Sequence, residues 1–276
     1  MNTGIKMKIE KIKDLVIAIK GAGEMATGTA WRLFQSNFKN IYMMEIPNPM
    51  AVRRQVSFCE AVHDGKITVE GVRAKKSFHP EDFQGAWEDN SIPVLVDPEW
   101  NAIKNIRPHV VIDATIAKKN LGTNLSEAPL VIGLGPGFEA GKDVHRVIET
   151  NRGHNLGRVI VKGCPEPNTG IPGSTNGYTH ERVLRAPCPG TFHSDLTIGE
   201  MVKKGQVVGY VDDMPVKVQI DGVLRGQIRS NTRVENKLKI GDIDPRGNIE
   251  HCTTISDKAR AVGGSVLEAI LQKYNN

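Results

Sequence analysis

The chain has 276 residues, of which 39% are hydrophobic, 24% charged and 5% aromatic, and its net charge is +5 (36 basic minus 31 acidic). This composition is ordinary for a soluble globular protein of one large or two modest domains. The basic residues are spread along the chain and aromatic residues are few, which argues against a nucleic-acid partner. No apolar stretch reaches the roughly 18 residues that a membrane span requires.

The N-terminus and the cysteines favour a cytoplasmic protein. Residues 1–14 are polar and basic and lack the apolar region of a secretion signal, so they are predicted to form an extension ahead of the first strand. The cysteines form no CxxC pair, which favours reduced thiols over a disulfide framework or a zinc finger. They are Cys59, Cys164, Cys188 and Cys252.

Residues 15–150 alternate apolar runs with helical patterns, which predicts a Rossmann-like α/β domain with a mainly parallel sheet. Strands are predicted at Leu15–Ile19, Ile41–Met44, Pro93–Val96, Val110–Ile112 and Leu130–Leu134, and helices at Met25–Phe34 and Met50–Val62. Gly65–Ala74 is predicted to be a hairpin that turns at Glu70 and Gly71, inserted into this fold.

The pattern of residue types along the sequence changes near residue 150. Residues 151–182 are rich in glycine and proline, which predicts a connecting segment without a helix. Residues 183–250 hold short strands between turn signals, which predicts a small all-β barrel or sandwich. Residues 251–276 show helical spacing that Gly263 and Gly264 interrupt, so a firm C-terminal helix is expected only after them.

The stretch VIAIKGAGEMATGTAWRL, residues 16–33, matches the pattern GxGxxA at Gly21, Gly23 and Ala26 between a strand and a helix. Glu45 ends the second strand 22 positions after Gly23 (45 − 23), where an acidic residue would bond a ribose hydroxyl. These four residues are therefore predicted to bind a nucleotide-type ligand. The alternative is a turn that only packs strand against helix, with Glu45 solvated.

A second glycine-rich loop, IGLGPGFEAGKD, follows another buried strand. Gly135 and Gly137 in this loop, together with Asp113 at the end of a neighbouring strand, are predicted to line an anionic ligand. Pro136 and Asp143 stand where the P-loop motif requires Gly and Ser or Thr, which argues against P-loop nucleotide hydrolysis.

Two basic pairs follow these predicted ligand residues: Arg53 with Arg54, and Lys118 with Lys119. Either pair could meet a phosphate. A solvated helix face is the favoured interpretation of the arginines, and the lysines are equally compatible with solvation.

The candidates for acid–base chemistry are Glu149 and His154, with Arg152 between them. His145 lies four residues before Glu149, so a metal site is conceivable, but structural or solvated roles are favoured and no metal is predicted. Cys164 lies in a constrained loop, and a nucleophilic role would require an electropositive neighbourhood.

The β region resembles the barrel-sandwich hybrid of biotinyl and lipoyl domains in the stretches RAPCPGTF, IGEMVKKGQVVGYV and DGVLRG. Domains of that kind present a modified lysine at a hairpin tip. Here the tip region is VDDMPVKVQ and Lys217 lies inside the second strand, so the region is predicted to serve in structure or docking.

From about Val16 onward the chain resembles the YqeB family. The resemblance is carried by GAGEMATGTAWRL, NPMAVRRQVSFCEAV, GKITVEGV, IGLGPGFEAGKDVHRVIETNRGHNLGRVI, PNTGIPG, KIGDIDPRG and TISDKARAVGGSVLEAIL. It implies a cytoplasmic accessory factor in the maturation of a selenium-dependent molybdenum hydroxylase, and assigns neither a reaction nor catalytic residues.

Three hypotheses follow from the sequence. The first is such an accessory factor, which binds a dinucleotide or another nucleotide-like ligand, or a molybdopterin-type ligand, and docks on the hydroxylase or its maturation proteins. The second is an NAD(P)-dependent oxidoreductase, supported by the first glycine turn and Glu45, with Glu149 or His154 as proton donor. The third is a non-catalytic interaction scaffold. Whether the protein is an enzyme stays open.

Overall fold

A computed structural model describes residues 11–275 as a nine-stranded, mostly parallel sheet, two four-stranded antiparallel sheets and a long C-terminal helix. Residues 1–10 of the predicted extension lie outside the described residues, and Ile12–Asp14 forms a short 3-10 helix.

The elements have the following bounds. The strands of the large sheet are β1 Ile17–Lys20, β2 Ile41–Glu45, β3 Lys66–Val69, β4 Val72–Ser77, β5 Ser91–Val96, β6 Val110–Asp113, β7 Leu130–Leu134, β8 Arg146–Ile148 and β9 Val159–Ile160. The later strands are β10 Val183–Arg185, β11 Gly190–His193, β12 Met201–Val202, β13 Val207–Val211, β14 Met214–Lys217, β15 Gly222–Gln227, β16 Thr232–Val234 and β17 Lys239–Asp244. The helices are α1 Glu24–Gln35, α2 Glu60–Asp64, α3 Phe83–Glu88, α4 Asn101–Ile106, α5 Glu250–Thr253 and α6 Asp257–Tyr274.

The large sheet has the strand order β3-β4-β5-β2-β1-β6-β7-β8-β9, and every pairing from β4 to β8 is parallel. Its central strands are apolar and buried on both faces, as parallel strands covered by helices should be. Helices α1 and α6 pack against Ile17 and Ile19 on one face, while α3 and α4 pack against Val16 and Ala18 on the other. The five predicted strands are confirmed, and each of their ends lies within two residues of its predicted position.

The helix predicted at Met50–Val62 is wrong. Most of this segment is irregular, with one short 3-10 helix, and α2 begins only near its end. Contacts with a distant strand determine its path, because Arg54 Nε donates to the carbonyl of Gln227 at 2.7 Å. The carbonyl of Val52 also approaches Gly226 so closely that a Cβ there would lie 2.7 Å away. Tertiary contacts therefore override the local helical pattern.

The predicted hairpin is confirmed as β3 and β4, but it is not a separate insertion because β4 continues the large sheet by pairing in parallel with β5. Its turn residue Glu70 reaches both helices of one face. The Glu70 carboxylate accepts from Ile255 N at 2.7 Å and pairs with Arg260 at 2.6 Å. Its carbonyl accepts from Trp31 Nε1 at 3.2 Å. The hairpin thus fixes α6 against α1.

The interruption predicted at Gly263 and Gly264 is wrong, because α6 runs through both residues. A Cβ on Gly263 would lie 2.8 Å from the carbonyl oxygen of Gly28, and a Cβ on Gly28 would lie 2.7 Å from the Cβ of Ala259. Glycine here permits two helices to approach closely rather than ending one of them. Gly28 contacts Ala259, and Gly263, four residues later in α6, contacts both Gly28 and Arg32. Because later residues of α1 contact later residues of α6, the two helices run in the same direction and begin side by side.

The two antiparallel sheets have the orders β10-β17-β15-β12 and β14-β13-β11-β16 and share their own apolar core. Arg229 of this β region pairs with Glu60 and Asp64 of α2. These ion pairs attach the β region to the part of the molecule that contains the large sheet. Residues 151–182 are all described and contain no helix, as predicted, although β9 within them joins the large sheet. The domain boundaries themselves stay predictions.

None of the helices within residues 11–275 is long and apolar enough to cross a membrane.

The helix contact leads to a stability prediction. Gly263→Ala is expected to lower the free energy of unfolding by about 1–3 kcal/mol, because the added methyl group overlaps the Gly28 carbonyl. Gly264→Ala is the matched control, since among residues 11–275 no atom outside its chain neighbours and the adjacent backbone of α6 lies within 4 Å of its Cβ position. The control is expected to gain up to about 1 kcal/mol from helix propensity. Urea unfolding followed by circular dichroism measures both, and equal stabilities would contradict the close contact.

Candidate anion-binding site

The first glycine turn leads from β1 into α1. Gly21 has φ +85° and its amide donates to the carbonyl of Met44 at 2.8 Å. A Cβ on Gly21 would lie 3.3 Å from backbone atoms of Ala114 and Thr115, so both the dihedral angle and the space require glycine. Gly23 is the N-cap residue of α1, and among residues 11–275 no atom beyond Gly23 and its two chain neighbours lies within 4 Å of its Cβ position. The start of α1 therefore faces open space.

Ala26 and Glu45, the other two residues of the predicted nucleotide site, stabilise the turn through packing and hydrogen bonds. Ala26 is fully buried, as a small residue that lets helix and strand pack closely should be. Glu45 Oε2 accepts from Ala22 N and Oε1 from Ile46 N, both at 2.8 Å. Burial raises the pKa of Glu45 while these two hydrogen bonds lower it. Glu45 holds the turn in this structure, and ribose binding by it stays a prediction.

The solvated position favoured for Arg53 is wrong, because only 5% of this residue is exposed. Its Nη1 lies 3.2 Å from Glu24 Oε1 in the first turn of α1. Its Nη2 donates to the carbonyls of His251 and Thr254, which lead into α6, at 2.8 and 2.9 Å. Its buried Nε has no hydrogen-bond partner among residues 11–275. Arg53 is thus a buried cation between the starts of two helices.

The start of α6 is built by Ser256, whose hydroxyl accepts from Ala259 N at 3.3 Å as an N-cap. The next residue, Asp257, forms a bidentate ion pair with Arg152, with N–O distances of 2.7 and 2.6 Å. Hydrogen bonding from Arg152 lowers the pKa of Asp257 to about 2. The structure therefore places Arg152, predicted as catalytic, at the N-terminus of α6.

We refer to these groups together as the two-helix site: Gly23 and Glu24 at the start of α1, Asp257 and Lys258 at the start of α6, and Arg53 and Arg152. Its charges act on one another. Burial and Arg152 lower the pKa of Lys258, whereas Glu24 raises it. Burial lowers the pKa of Lys239, from the β region, whereas its ion-pair partner Asp242 and, less strongly, Glu24 raise it.

Charges of both signs therefore lie at two helix N-termini, whose dipoles favour anions. At α6 the amides of Lys258 and Ala259 are already bonded to the side chains of Asp257 and Ser256. The cations are Arg53, Arg152 and Lys258, and the carboxylates are Glu24 and Asp257. This part of the structure can attract and hold an anionic group. Sequence reasoning missed α6's contribution, although the N-cap pattern Ser256-Asp257 was a local signal for a helix start.

Asp113 ends β6 beside Lys20, the last residue of β1, and both side chains are buried. Thr123 joins them, since its hydroxyl donates to Asp113 Oδ2 at 2.6 Å and accepts from Lys20 Nζ at 2.7 Å. Lys20 also pairs with Glu127 at 2.8 Å. This network fixes the loop after β6, so Asp113 already has internal partners. Lys20 was overlooked, although a lysine that ends an apolar strand is unusual.

The glycines of the second loop are explained by packing. A Cβ on Gly135 would overlap the hydroxyl of Thr150, and one on Gly137 would lie 2.6 Å from the amide of Lys119. Both glycines also have positive φ, at +77° and +114°. Ligand contact by them stays a prediction, but it is not needed to account for glycine at either position.

Glu149 and His154 are not brought together by a hydrogen bond within the described chain. Glu149 is 2% exposed, and its two oxygens accept from the amides of Asn151 and Glu166, each at 2.7 Å. It therefore holds the connecting segment. His154 is exposed and lies in an open depression of about 490 Å³. Their roles as acid and base stay predictions.

Cys164 is exposed and lies with Lys162 and Glu166 in a groove of about 350 Å³, so charges of both signs surround its thiol. The four cysteines, all in the described part of the chain, are free. Across residues 11–275, no group of three or more His, Cys, Asp or Glu side chains is arranged to hold a metal ion.

Comparison with known proteins gives one close sequence relative. Over 256 residues, 93% of its length, the chain is 46% identical to the uncharacterized protein YqeB of Escherichia coli (strain K12). Over this region the chain belongs to the YqeB family. It spans about half of that relative, 47% of its length. No protein-family model matches the chain.

Solved structures show only distant likeness. A succinylglutamate desuccinylase/aspartoacylase from Rhodobacter sphaeroides matches 30% of this chain and 29% of its own, at 19% identity and a TM-score of 0.20. An aspartoacylase family protein from Mesorhizobium loti matches 49% of this chain and 56% of its own, at 11% identity and a TM-score of 0.24. The ectoine utilization protein EutE (DoeB) from Ruegeria pomeroyi matches 83% of this chain and 57% of its own, at 8% identity and a TM-score of 0.23. Likeness at this level supports no conclusion about the present chain.

The ion pair at α6 leads to a pH prediction. The folded pKa of Asp257, about 2, lies below the unfolded value of about 3.9, so the pair stabilises the fold above pH 4 and this contribution is lost as the pH falls towards 2. Because the pair is largely exposed, the contribution is expected to be on the order of 0.5 kcal/mol. Urea unfolding at pH 7, 4, 3 and 2 measures it. The difference between the wild type and Asp257→Asn should vanish near pH 2, and a constant difference would contradict the assignment.

Proposed function

We propose that this protein is a cytoplasmic accessory factor in the maturation of a selenium-dependent molybdenum hydroxylase and that it binds a phosphate-bearing ligand, nucleotide-like or molybdopterin-type, at the first glycine turn. The observation that carries the ligand part is the buried cation Arg53 beside the open N-terminus of α1. The resemblance to the YqeB family supports the maturation role.

The Rossmann-like character of the large sheet belongs to the same proposal. The turn that follows its central strand leads into α1 at the carboxyl edge, where open α/β sheets bind ligands. Gly23 leaves room for a phosphate to approach the backbone amides. Glu45 then serves to hold these amides in position.

The β region is proposed to be a barrel-sandwich hybrid that docks on the hydroxylase or on another maturation protein. Lys217 ends strand β14, away from the turn between β13 and β14. That position differs from the hairpin-tip lysine of a carrier domain. Arg229 and Arg54 also fix the region to the rest of the molecule, which suits a fixed docking surface better than a swinging arm.

The ligand proposal is tested by Gly23→Asp. A carboxylate at this N-cap position should repel a bound phosphate and weaken binding of ADP or inorganic phosphate by about tenfold or more. Isothermal titration measures the affinity. Gly85→Asp is the matched control, because Gly85 is exposed in α3 and, among residues 11–275, no atom outside its chain neighbours and the adjacent backbone of α3 lies within 4 Å of its Cβ position.

Three outcomes are distinguishable. Loss of binding in Gly23→Asp with normal binding in Gly85→Asp supports the site. Binding that both variants retain refutes an anion site at this turn. Tight binding of NAD⁺ by the wild type, with hydride transfer to a substrate, would replace the accessory role by the oxidoreductase alternative.

The maturation role is tested in the host cell. Deletion of the gene should abolish hydroxylase activity and the labile selenium of the enzyme, and the wild-type gene should restore both. The variant Gly85→Asp should restore them as well, whereas Gly23→Asp should not. Unchanged activity and selenium content after deletion would refute the maturation role. Native mass spectrometry of the protein purified from that host would identify the ligand.

A further inference from the structure

We infer that β9, the strand at one edge of the large sheet, is a docking site for an acidic, extended segment of another protein, which pairs with β9 as an additional strand. This inference goes beyond the proposed function, since it uses neither the first glycine turn nor the β region. It concerns residues 158–162, which we call the β9 edge.

The backbone of the β9 edge is paired on one side. Strand β9 stands last in the order of the large sheet and pairs with β8 in antiparallel fashion. Glu149 N donates to the carbonyl of Arg158 at 3.0 Å, so this carbonyl faces β8. Because backbone groups alternate in direction along a strand, those of Val159 face away from β8. The amide and the carbonyl of Val161 have no backbone hydrogen-bond partner among residues 11–275. Unpaired groups of this kind are a template for another strand.

The strand itself is held in place from both faces of the sheet. Val159 packs against the core on the side of α1 and α6, and Ile160 packs against the core on the side of α3 and α4. Val161, the next residue, is 59% exposed. A segment that pairs here therefore meets a preformed edge and an exposed apolar side chain, which lowers the cost of ordering on binding.

The β9 edge carries two exposed cations, Arg158 and Lys162. All five residues of the edge line an open groove of about 350 Å³. Among residues 11–275, no carboxylate oxygen lies within 4 Å of the side-chain nitrogens of either cation. Both charges are thus available to a partner.

The carboxylates that line the same groove are already bonded. They are Glu149 and Glu166. Glu149 accepts from the amides of Asn151 and Glu166, and Glu166 accepts from the side-chain amides of Asn151 and Asn155 at 2.6 and 2.9 Å. The charge that remains at the edge is positive, so the complementary segment is acidic.

The positions of the two cations also determine the pattern of that segment. Arg158 precedes the strand, and Lys162 follows it after a bend at 161–162. A strand paired along the β9 edge is therefore favoured by an acidic residue at each end and apolar residues between them. A second copy of the chain, paired antiparallel through its own β9, would bring Arg158 close to Lys162 of the other copy, and these like charges disfavour it.

The test uses a labelled peptide, acetyl-Glu-Val-Thr-Val-Glu-amide, and measures its binding to the full chain by fluorescence anisotropy. This acidic peptide should bind about tenfold or more tightly than the basic peptide acetyl-Lys-Val-Thr-Val-Lys-amide. N-methylation of its two valines keeps the charges but removes backbone donors that strand pairing requires. The methylated peptide should therefore bind about tenfold or more weakly.

Charge reversal at the β9 edge should reverse the preference between the peptides. The double variant Arg158→Glu, Lys162→Glu is expected to lose about tenfold or more in affinity for the acidic peptide and to bind the basic peptide more tightly. Lys66→Glu is the matched control and should behave as the wild type, because Lys66 is an exposed lysine of β3, the strand at the opposite edge of the same sheet. A thermal melt verifies that each variant is folded.

Equal binding of the acidic peptide and its N-methylated form would reveal attraction by charge without strand pairing and would overturn the proposal. So would an equal loss of affinity in Lys66→Glu, or no binding of the acidic peptide at about 1 mM. A wild-type dimer that the acidic peptide dissociates would make a second copy the occupant instead. Phosphate affinity of the double variant should stay within about twofold of the wild type, so failure of the docking site leaves the proposed function standing.

Discussion

The site depends on the contact between Gly28 of α1 and Gly263 of α6. Because neither residue has a side chain, the helices lie close together and begin at the same edge of the large sheet. Burial lowers the pKa of Arg53 between them, and Glu24 opposes that effect. Larger residues at either glycine would separate the helix starts and expose this cation. One backbone contact in the core thus determines the electrostatics of the surface above it.

Much of the large sheet could be predicted from the sequence, because its central strands are short apolar runs whose burial on both faces leaves a local signal. The turn at Gly21 could be predicted equally well. The segment that contains Arg53 was not, because hydrogen bonds to residues about 200 positions away determine its path. The continuity of α6 was missed for a related reason. Whether Gly263 ends a helix or admits a neighbouring helix depends on what lies opposite, and Gly28 is far away in the sequence.

The candidate site shows the same limit. Gly23 and Arg152 both lie at the two-helix site, Gly23 at the start of α1 and Arg152 at the start of α6. Gly135 and Gly137 were predicted on the same grounds as Gly23, yet close packing accounts for both. In a sequence, a glycine that leaves room for a ligand and one that leaves room for another residue look identical. Glu149 illustrates the equivalent ambiguity for a buried carboxylate, since backbone amides use both of its oxygens.

The wide spacing of the two helix starts along the chain also bears on how the molecule folds. Glu24 and Lys258 are 234 positions apart (258 − 24), and the turn of the β3–β4 hairpin, which fixes α6, lies about 185 positions from its partner at Ile255. Contacts of such long sequence separation form late and slowly, because a large loop must close before they contribute. During synthesis, the large sheet can begin to assemble while Arg53 is still without α6. Under the proposed function, an anion would bind only after this last stage of folding, and its binding would draw the nascent protein towards its native state.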